Sequence, residues 1–397
     1  MSKGQPSIYT VQFVLLCMSS LLFSASFNMM IPELPAYLSS IGGAEYKGLI
    51  IALFTLTAGI SRPFSGRLTD TIGRVPIMAV GSVVCFICGF LYPVLSSVAG
   101  FLLLRLVHGF STGFKPTATA AYIADLIPKE RWGEALGFHG LCFSIGQAVG
   151  PALGSWVAGS YSINMMFYVS SAFALLSMLI LMHMKETLPQ KQAFRFGLLR
   201  LGRNDIVDWN VLPAALIVLL SYLSYGALLT LIPDWTHHIG ISNKGFFFIV
   251  FTLSSILVRM VAGRLSDKYG RIKVINTGLT GLAIAMMCIA FSKTMAGLTI
   301  SSALFGLSMG ILGPALNAWT IDLSHPDHRG KAMATMYIAL EIGIGGGALC
   351  AGWLYQDVIS HIPKVFIITG IIAVIALMYM LVRVKDGKSL SGSRAAS

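Results

Sequence analysis

The chain has 397 residues, of which 55% are hydrophobic and only 11% are charged, and its net charge is +12. An ordinary soluble domain carries about 25% charged residues, so this composition excludes a soluble protein and favours a chain that lies mostly in lipid. The positive charge does not indicate a nucleic-acid partner, because the basic residues lie in short loops and at the ends of apolar runs instead of clustering on a polar domain.

Long apolar runs follow one another along the chain. Since about 20 apolar residues are needed for each crossing of the membrane, we predict an all-α membrane protein with twelve transmembrane helices. The first six lie near residues 10–38, 47–66, 76–95, 98–125, 133–160 and 163–184. The second six lie near residues 211–238, 245–264, 274–292, 296–322, 331–356 and 362–384. The predicted domains are an N-terminal half over 1–184, a cytoplasmic linker over 185–210, a C-terminal half over 211–384 and a cytoplasmic tail over 385–397.

The two halves repeat each other at a fixed offset. The stretch from Gly66 to Arg74 recurs 197 positions later, from Gly263 to Arg271. The same offset relates other small and charged residues: Arg62 to Arg259, Asp125 to Asp322, Gly146 to Gly343, and Gly150 to Gly347. So many matches at one offset indicate an internal duplication with two pseudo-symmetric six-helix halves, which is the layout of a membrane carrier.

The distribution of Lys and Arg predicts the orientation of the chain. Most of the 28 basic residues lie in the N-terminus, the linker, the C-terminus and the loops on the same side. The opposite loops hold only Lys47, Lys244, Lys293 and Lys364. Because loops rich in Lys and Arg stay in the cytoplasm, both termini are predicted to be cytoplasmic. We expect a multi-pass monomer in a lipid bilayer, in a bacterial inner membrane.

Each copy of the repeated stretch lies in a cytoplasmic loop between two spans. Its pattern, Gly-x-x-x-Asp-x-x-Gly-Arg, resembles motif A of the major facilitator superfamily, and the resemblance covers nearly the whole chain. In that family the loop Asp lies near the N-terminus of a helix of the other half, and the Arg reaches an acidic residue that ends span 4. The resemblance implies a latch that closes the cytoplasmic side, with Gly66, Asp70, Gly73, Arg74 and Asp125, and a weaker counterpart with Gly263, Asp267, Gly270, Arg271 and Asp322. The alternative is that these charges only fix the topology and cap helices.

Span 4 carries a polar stripe. Arg105, Gly109 and Pro116 resemble motif B of the same superfamily, whose Arg lies in the membrane and is associated with proton coupling. Five residues fall within about 80° of one another around the helix, namely Arg105, His108, Thr112, Lys115 and Thr119. Arg105 and Lys115 have uncharged counterparts in the second half, so we predict that Lys115 contacts the substrate and that the cavity prefers anionic or zwitterionic compounds. The rival hypothesis is that Lys115 and Glu341 neutralise each other permanently and that the substrate is neutral or cationic.

Span 5 contains a stripe of small residues. Gly146, Gly150, Pro151 and Gly154 resemble motif C of the proton-driven antiporter branch, although Ser155 replaces the last Gly of that pattern. Glycines four residues apart allow close packing against a neighbouring helix. The resemblance implies export, and the alternative is an ordinary tight contact between helices.

The remaining polar residues of the spans are candidates for function, because such residues are costly in a membrane. Glu341 lies near the middle of span 11, where its charge must be paired, hydrated or removed by protonation. We predict that proton coupling involves Glu341, Arg105, Glu33, His139 and Asp234. The predicted substrate-binding residues are Asn28, Arg105, His108, Thr112, Lys115, Gln147, Tyr222 and Tyr225. For Glu33 and Asp234 the alternative is a position at the membrane interface, and for His139 it is a hydrogen bond within the protein.

These patterns predict a secondary active transporter that works by alternating access. The resemblance to the twelve-span drug/proton antiporters implies proton-coupled export of a small organic compound. The alternative is a proton-coupled uptake symporter for an organic anion or sugar acid, since the fold does not fix the direction. A polytopic membrane transferase is a remote alternative. Its active site would need nucleophile, base or metal-ligand side chains that converge, whereas the acidic, His and Cys residues of this chain are scattered over different spans. We expect no cofactor and no metal. The expected driving force is an ion gradient, with protons as the expected ion.

Overall fold

The structure is a computed structural model, and it describes residues 9–128, 131–199, 207–325 and 329–386. Its regular elements in these ranges are helices. The first seven are α1 (Val11–Met30), α2 (Leu34–Ser40), α3 (Lys47–Thr71), α4 (Arg74–Leu91), α5 (Val98–Leu126), α6 (Trp132–Ser160) and α7 (Ile163–Met182). The next six are α8 (Leu212–His238), α9 (Phe246–Tyr269), α10 (Arg271–Phe291), α11 (Met295–Leu323), α12 (Arg329–Tyr355) and α13 (Ile362–Asp386).

All twelve predicted spans coincide with a long helix. Within the described residues, ten of these helices are long and apolar enough to cross a membrane. The other two are α5, in which Arg105, His108 and Lys115 lower the hydropathy, and α9, which contains the apolar stretch Phe246–Arg259. The prediction of an all-α protein with twelve spans is therefore confirmed.

The first span differs from its prediction. We expected one helix over 10–38, whereas α1 ends at Met30 and the short helix α2 begins at Leu34. Pro32 and Pro35 explain the break, because proline lacks a backbone N–H and its ring collides with the carbonyl of the preceding turn. Pro35 lies in the first turn of α2, where that missing donor is harmless.

The chain separates into two compact units. The first comprises Met1–Gly43 with Leu53–Asn204, and the second comprises Ala44–Ala52 with Asp205–Ser397. The start of α3 thus belongs to the second unit, which the predicted boundaries did not anticipate. Of the predicted linker and tail, residues 200–206 and 387–397 lie outside the described part of the chain.

The two units use the same helix pairs. In the first unit α1 packs against α6 and α7, and α4 packs against α5 and α7. In the second unit α8 packs against α12 and α13, and α10 packs against α11 and α13. This repetition is what an internal duplication predicts. In the first unit, buried side chains of α1, α4, α5 and α7 form a common core, for example Phe13, Ile77, Tyr122 and Leu181.

Candidate functional site

The turn between α3 and α4 depends on Gly73. Its φ of +137° lies in a region that favours glycine, and Gly270 repeats this with a φ of +89° before α10. A Cβ atom on Gly73 would also lie 2.5 Å from Oε2 of Glu186 and would displace that carboxylate. The second glycine of each motif A copy is therefore required by backbone geometry.

Arg74, the first residue of α4, joins the ends of three helices. Its Nε donates to Oδ2 of Asp125 at 2.9 Å, and its Nη1 donates to Oδ1 of Asp70 at 3.1 Å and to the carbonyl of Thr69 at 2.6 Å. The Arg74 side chain is only 12% exposed. The contact between Arg74 and Asp125 that the resemblance implied is present, whereas its action as a latch stays a prediction.

Glu186, just beyond α7, is a functional candidate that the sequence analysis missed. Its carboxylate accepts hydrogen bonds from the backbone N–H groups of Arg74 at 2.9 Å and of Val75 at 3.0 Å. The N–H groups in the first turn of a helix have no acceptor within that helix, and the helix dipole favours a negative charge there. Within the first unit, the carboxylate at this helix N-terminus is that of Glu186, and Asp70 contacts Arg74 instead.

The second copy of the motif has a similar but more open arrangement. The Nε of Arg271 donates to Oδ2 of Asp322 at 3.0 Å, and its Nη1 donates to Oγ of Ser266 at 3.1 Å. Arg271 and Asp322 are 27% and 50% exposed, against 12% and 29% for the first pair. A more exposed ion pair is weaker, as expected for the counterpart. Gly263 and Asp267 lie within α9, and their surroundings lie outside what the structure describes.

The polar stripe of α5 points into the first unit. All five of its members are buried: Arg105, His108, Thr112, Lys115 and Thr119. The Arg105 guanidinium lies 4.5 Å from the centre of the Phe54 ring. The two ring nitrogens of His108 approach the Tyr92 hydroxyl at 3.3 Å and the Cys85 sulfur at 3.2 Å. The predicted alignment of these residues on one face is thus present, and the face packs against other helices.

Lys115 lies in an enclosure of serines. Its ammonium donates to Ser19 Oγ at 2.9 Å, Ser82 Oγ at 3.0 Å, the Ser19 carbonyl at 3.2 Å and Ser177 Oγ. The centre of the Phe23 ring is 4.7 Å away. All these groups belong to α1, α4 and α7 of the first unit, and Lys115 is 1% exposed. The hydrogen-bond partners of Lys115 in this structure are thus groups of its own unit, and its contact with a substrate stays a prediction.

Two further candidates form hydrogen bonds along α1. His139 of α6 lies 2.8 Å from Ser20 Oγ, which matches the alternative of a hydrogen bond within the protein. The Asn28 amide donates to the Ser24 carbonyl of its own helix at 2.8 Å. Gln147 is half-buried on α6. Roles of Asn28 and Gln147 in substrate binding stay predictions.

The glycine stripe of α6 packs closely against α1. A Cβ atom at Gly146, Gly150 or Gly154 would collide with the backbone of α1, and at Gly150 it would lie 2.7 Å from the Ala25 carbonyl oxygen. The predicted close packing is therefore present. Ser155, which replaces the last glycine of motif C, is also hydrogen-bonded. Its hydroxyl donates to Oε1 of Glu33 at 2.8 Å. Glu33 is 8% exposed, at the break between α1 and α2.

In the second unit, Glu341 and Tyr222 come together. Tyr222 of α8 interacts electrostatically with Glu341 and Tyr337 of α12, and also with Arg259 of α9. Its ring lies 6.1 Å from that of Tyr225, which stacks on Phe305 at 6.3 Å. Three residues that the sequence analysis selected separately, Glu341, Tyr222 and Tyr225, thus form one polar and aromatic group.

Asp234 is part of an ion cluster at the end of α8. Its Oδ2 accepts from Lys47 Nζ at 2.7 Å and from the Tyr355 hydroxyl at 2.9 Å, and Lys47 also donates to Asp357 at 2.5 Å. Asp357 has a φ of +58°, an unusual backbone for a residue other than glycine. Lys47 and Asp357 were not selected as candidates, because their partners are distant in the sequence. A role for Asp234 in proton coupling stays a prediction. Among the described residues, no group of three His, Cys, Asp or Glu side chains is placed to hold a metal ion.

Comparison with known proteins decides the family. The family model described as Major Facilitator Superfamily matches residues 16–212 and 214–396. The chain belongs to the major facilitator superfamily. It is 26% identical over 368 residues to the multi-drug resistance efflux pump PmrA homolog of Lactococcus lactis, with 88% of this chain and 90% of that protein covered. It is 25% identical over 382 residues to multidrug resistance protein 2 of Bacillus subtilis, with 92% and 93% covered.

A solved structure of a D-xylose-proton symporter has the same fold. It matches with a TM-score of 0.77 at 18% identity, over 93% of this chain and 96% of that one. As a member of the major facilitator superfamily with ten apolar helices of spanning length in its described residues, the protein is an integral multi-pass membrane transporter for small molecules and not an enzyme. The remote alternative of a membrane transferase is therefore wrong.

We expect Gly150→Ala to destabilise this transporter. The new methyl group would force α1 and α6 apart, and overpacking of this kind costs about 1–3 kcal/mol. The matched control is Gly140→Ala on the same helix, where a Cβ atom would have nothing within 4 Å. There alanine should be neutral or stabilising, by up to about 1 kcal/mol. Thermal unfolding in detergent compares the two variants, and equal unfolding temperatures would show that the close contact is not needed.

We also expect Asp234→Asn to lower the unfolding temperature. The side chains of Lys47 and Asp234 are 6% and 14% exposed, and removing one partner of a buried pair costs about 3–5 kcal/mol. Asp357→Asn serves as the control with a smaller effect, because the Asp357 side chain is 43% exposed. The double variant Lys47→Met with Asp234→Leu should recover stability. An Asp234→Asn protein as stable as the parent would contradict the importance of this pair.

Proposed function

We propose that the chain is a proton-coupled exporter of small organic compounds, with a preference for anionic or zwitterionic ones. It exchanges substrate for protons by alternating access, as a monomer in a bacterial inner membrane with both termini in the cytoplasm. The observation that carries this proposal is the similarity, over 88% and 92% of the chain, to two bacterial proteins named for multidrug resistance, one of them an efflux pump. The glycine stripe of α6, which resembles motif C of the antiporters, supports the same direction.

The carboxylates of the two units support coupling to protons. Glu33 in the first unit is 8% exposed and precedes α2, and Glu341 in the second unit is 7% exposed and lies within α12. A buried carboxylate of this kind is costly when charged. Its protonation on one side of the membrane and deprotonation on the other would link proton movement to the conformational cycle.

The charge preference comes from the cations of the α5 stripe. The hydrogen bonds of Lys115 are directed to serines of its own unit. The preference for anions therefore rests on Arg105. That guanidinium is 2% exposed under the Phe54 ring. An anion would reach Arg105 only if the side chains that cover it moved aside. A comparison of an anionic dye with ethidium, a permanent cation, tests the preference.

Uptake by symport is the second candidate, because the fold is shared with a D-xylose-proton symporter. At 18% identity that likeness concerns the fold alone. The direction of transport therefore has to be measured, with one gradient that gives opposite results for the two candidates.

The test uses inside-out membrane vesicles with an acidic lumen, and sulforhodamine B and ethidium as probes. An exporter that exchanges substrate for protons accumulates dye in the lumen as protons leave. A symporter instead carries preloaded dye out of the lumen together with protons. Accumulation of sulforhodamine B in preference to ethidium supports the proposal. Accumulation of ethidium alone contradicts the charge preference, and outward movement of preloaded dye contradicts export.

A further inference from the structure

Two of the serines around Lys115, Ser19 and Ser177, orient their hydroxyl protons away from the ammonium. Ser19 Oγ donates to the Ser177 carbonyl at 2.9 Å, and Ser177 Oγ donates to the Ser19 carbonyl at 2.8 Å. A hydroxyl has one proton and two lone pairs, so both oxygens remain acceptors toward Lys115. A charged ammonium, with three N–H donors, is thereby satisfied by Ser19, Ser177 and Ser82.

The same serines also fit a neutral amine. Besides Lys115, the Ser82 hydroxyl has Ser177 Oγ at 3.5 Å as its one hydrogen-bond partner in the described part of the chain, so its proton is not committed to a carbonyl there. An uncharged Lys115 has two N–H donors for Ser19 and Ser177 and one lone pair, which accepts the Ser82 proton. Both protonation states can therefore be hydrogen-bonded completely by one set of side chains.

Among the residues that the structure describes, no carboxylate forms an ion pair with Lys115. Its hydrogen-bond partners are hydroxyl and carbonyl groups, and the Phe23 ring gives only the modest attraction between a cation and an aromatic face. The titratable groups that face Lys115 across helix contacts in the described residues are Cys85 of α4 and His139 of α6, and Cys85 also interacts with Arg105. On the sides of α1 and α7, serines and Phe23 face it. A buried cation without a counter-ion is costly.

The duplication shows that the fold does not require an amine here. Lys115 packs against Gly81 of α4, and 197 positions later Leu312 packs against Gly278 of α10 in the same way. Ser82 corresponds to Leu279, and both Leu312 and Leu279 are fully buried. The apolar pair makes the same helix contact in the second unit, so the polar group in the first unit is a local addition.

We propose that Lys115 is a proton-binding group of the transport cycle, held among Ser19, Ser82 and Ser177. When the proton leaves, one N–H bond breaks, its electron pair stays on Nζ, and the proton passes to water. The loss of charge weakens the links between α5 and α1, α4 and α7. α4 and α5 also carry Arg74 and Asp125 at their cytoplasmic ends, so Lys115 and the motif A contact share two helices. This inference rests on the proton coupling proposed above.

The test uses proteoliposomes with purified protein, sulforhodamine B and ethidium as probes, and the pH-sensitive dye pyranine to follow protons. Lys115→Met and Lys115→Arg should both lose the acceleration of transport by a pH gradient and should still exchange dye without a gradient. The Arg variant separates a proton carrier from a structural cation, because its guanidinium keeps the charge and does not release a proton. Lys293→Met, at an exposed lysine, is the matched control and should behave like the parent.

Phe23→Leu keeps the proposal testable if the Lys115 variants do not fold. The aromatic face stabilises only the charged form of Lys115, so its removal should shift the pH of half-maximal transport downward, by up to about one unit. Full acceleration by the pH gradient in Lys115→Arg or Lys115→Met, or an unchanged pH profile in Phe23→Leu, would overturn this inference and leave the proposed proton coupling standing. Dye exchange by the parent protein that no pH gradient accelerates would overturn the proposed coupling as well.

Discussion

Glu341→Gln is expected to abolish transport driven by a pH gradient and to leave a folded protein that still binds its substrates. Glutamine has the shape of the native side chain but does not exchange a proton. Glu341 is 7% exposed, and it interacts electrostatically with Tyr222. Its protonation would therefore change the balance of charge next to the aromatic group of Tyr222 and Tyr225. Accumulation of sulforhodamine B or ethidium in proteoliposomes measures transport, and the thermal shift caused by the same dyes measures binding.

The control is Glu134→Gln on α6. Glu134 is 47% exposed and pairs with Arg131 three residues away, so its loss should change neither transport nor stability noticeably. Gradient-driven transport by Glu341→Gln at the native rate would show that the coupling lies elsewhere. Among the residues selected from the sequence, Arg105, His139 and Glu33 would be tested next.

The positions of the helices could be predicted because the membrane imposes a length on every apolar run. The predicted span over 98–125 became α5 at Val98–Leu126, and the span over 163–184 became α7 at Ile163–Met182. The error in the first span has a local cause, the proline pair at Pro32 and Pro35. Pro116 and Pro151 lie inside continuous helices, so a single proline in a span does not predict a break.

Specific contacts between candidate residues could be predicted only where the chain repeats itself or resembles a family. The contact between Arg74 and Asp125 followed from motif A, and its second copy followed from the duplication. Glu186 and Lys47 were missed because their partners lie 112 and 187 residues away. No periodicity or spacing in the sequence relates such residues, and only the packing of the helices brings them together.

Lys115 shows the limit of helical periodicity. The spacing correctly placed it on one face of α5 with Arg105 and His108, but periodicity does not reveal what lies opposite that face. The answer was Ser19, Ser82 and Ser177 on three other helices. Serine is common in membrane helices as a small packing residue, so these positions gave no signal of their own.

Asp125→Asn is expected to open the cytoplasmic side of the transporter more often. The Asp125 carboxylate accepts from Arg74 at 2.9 Å and from the Thr187 hydroxyl at 2.7 Å, and so links α4, α5 and the segment after α7. A hydrogen bond to a charged group contributes about 1.5–3 kcal/mol, and about 1.4 kcal/mol changes a population tenfold. If the contact stabilises the closed cytoplasmic side, labelling of single cysteines on the cytoplasmic half of α5 by a maleimide should therefore accelerate about tenfold.

The duplicated motif supplies the control for this experiment. Asp322→Asn removes the equivalent carboxylate, but that pair is more exposed, so its effect should be clearly smaller.

Asp70→Asn tests the latch in another way. The Asp70 side chain is 70% exposed and pairs with Arg74 four residues away, an interaction worth only about 0.3–0.5 kcal/mol. A large increase in labelling by Asp70→Asn would thus exceed what its contact with Arg74 explains, and would support the latch that motif A implies. Unchanged labelling and transport in both Asp70→Asn and Asp125→Asn would instead leave these charges with the simpler role of fixing the topology and capping helices.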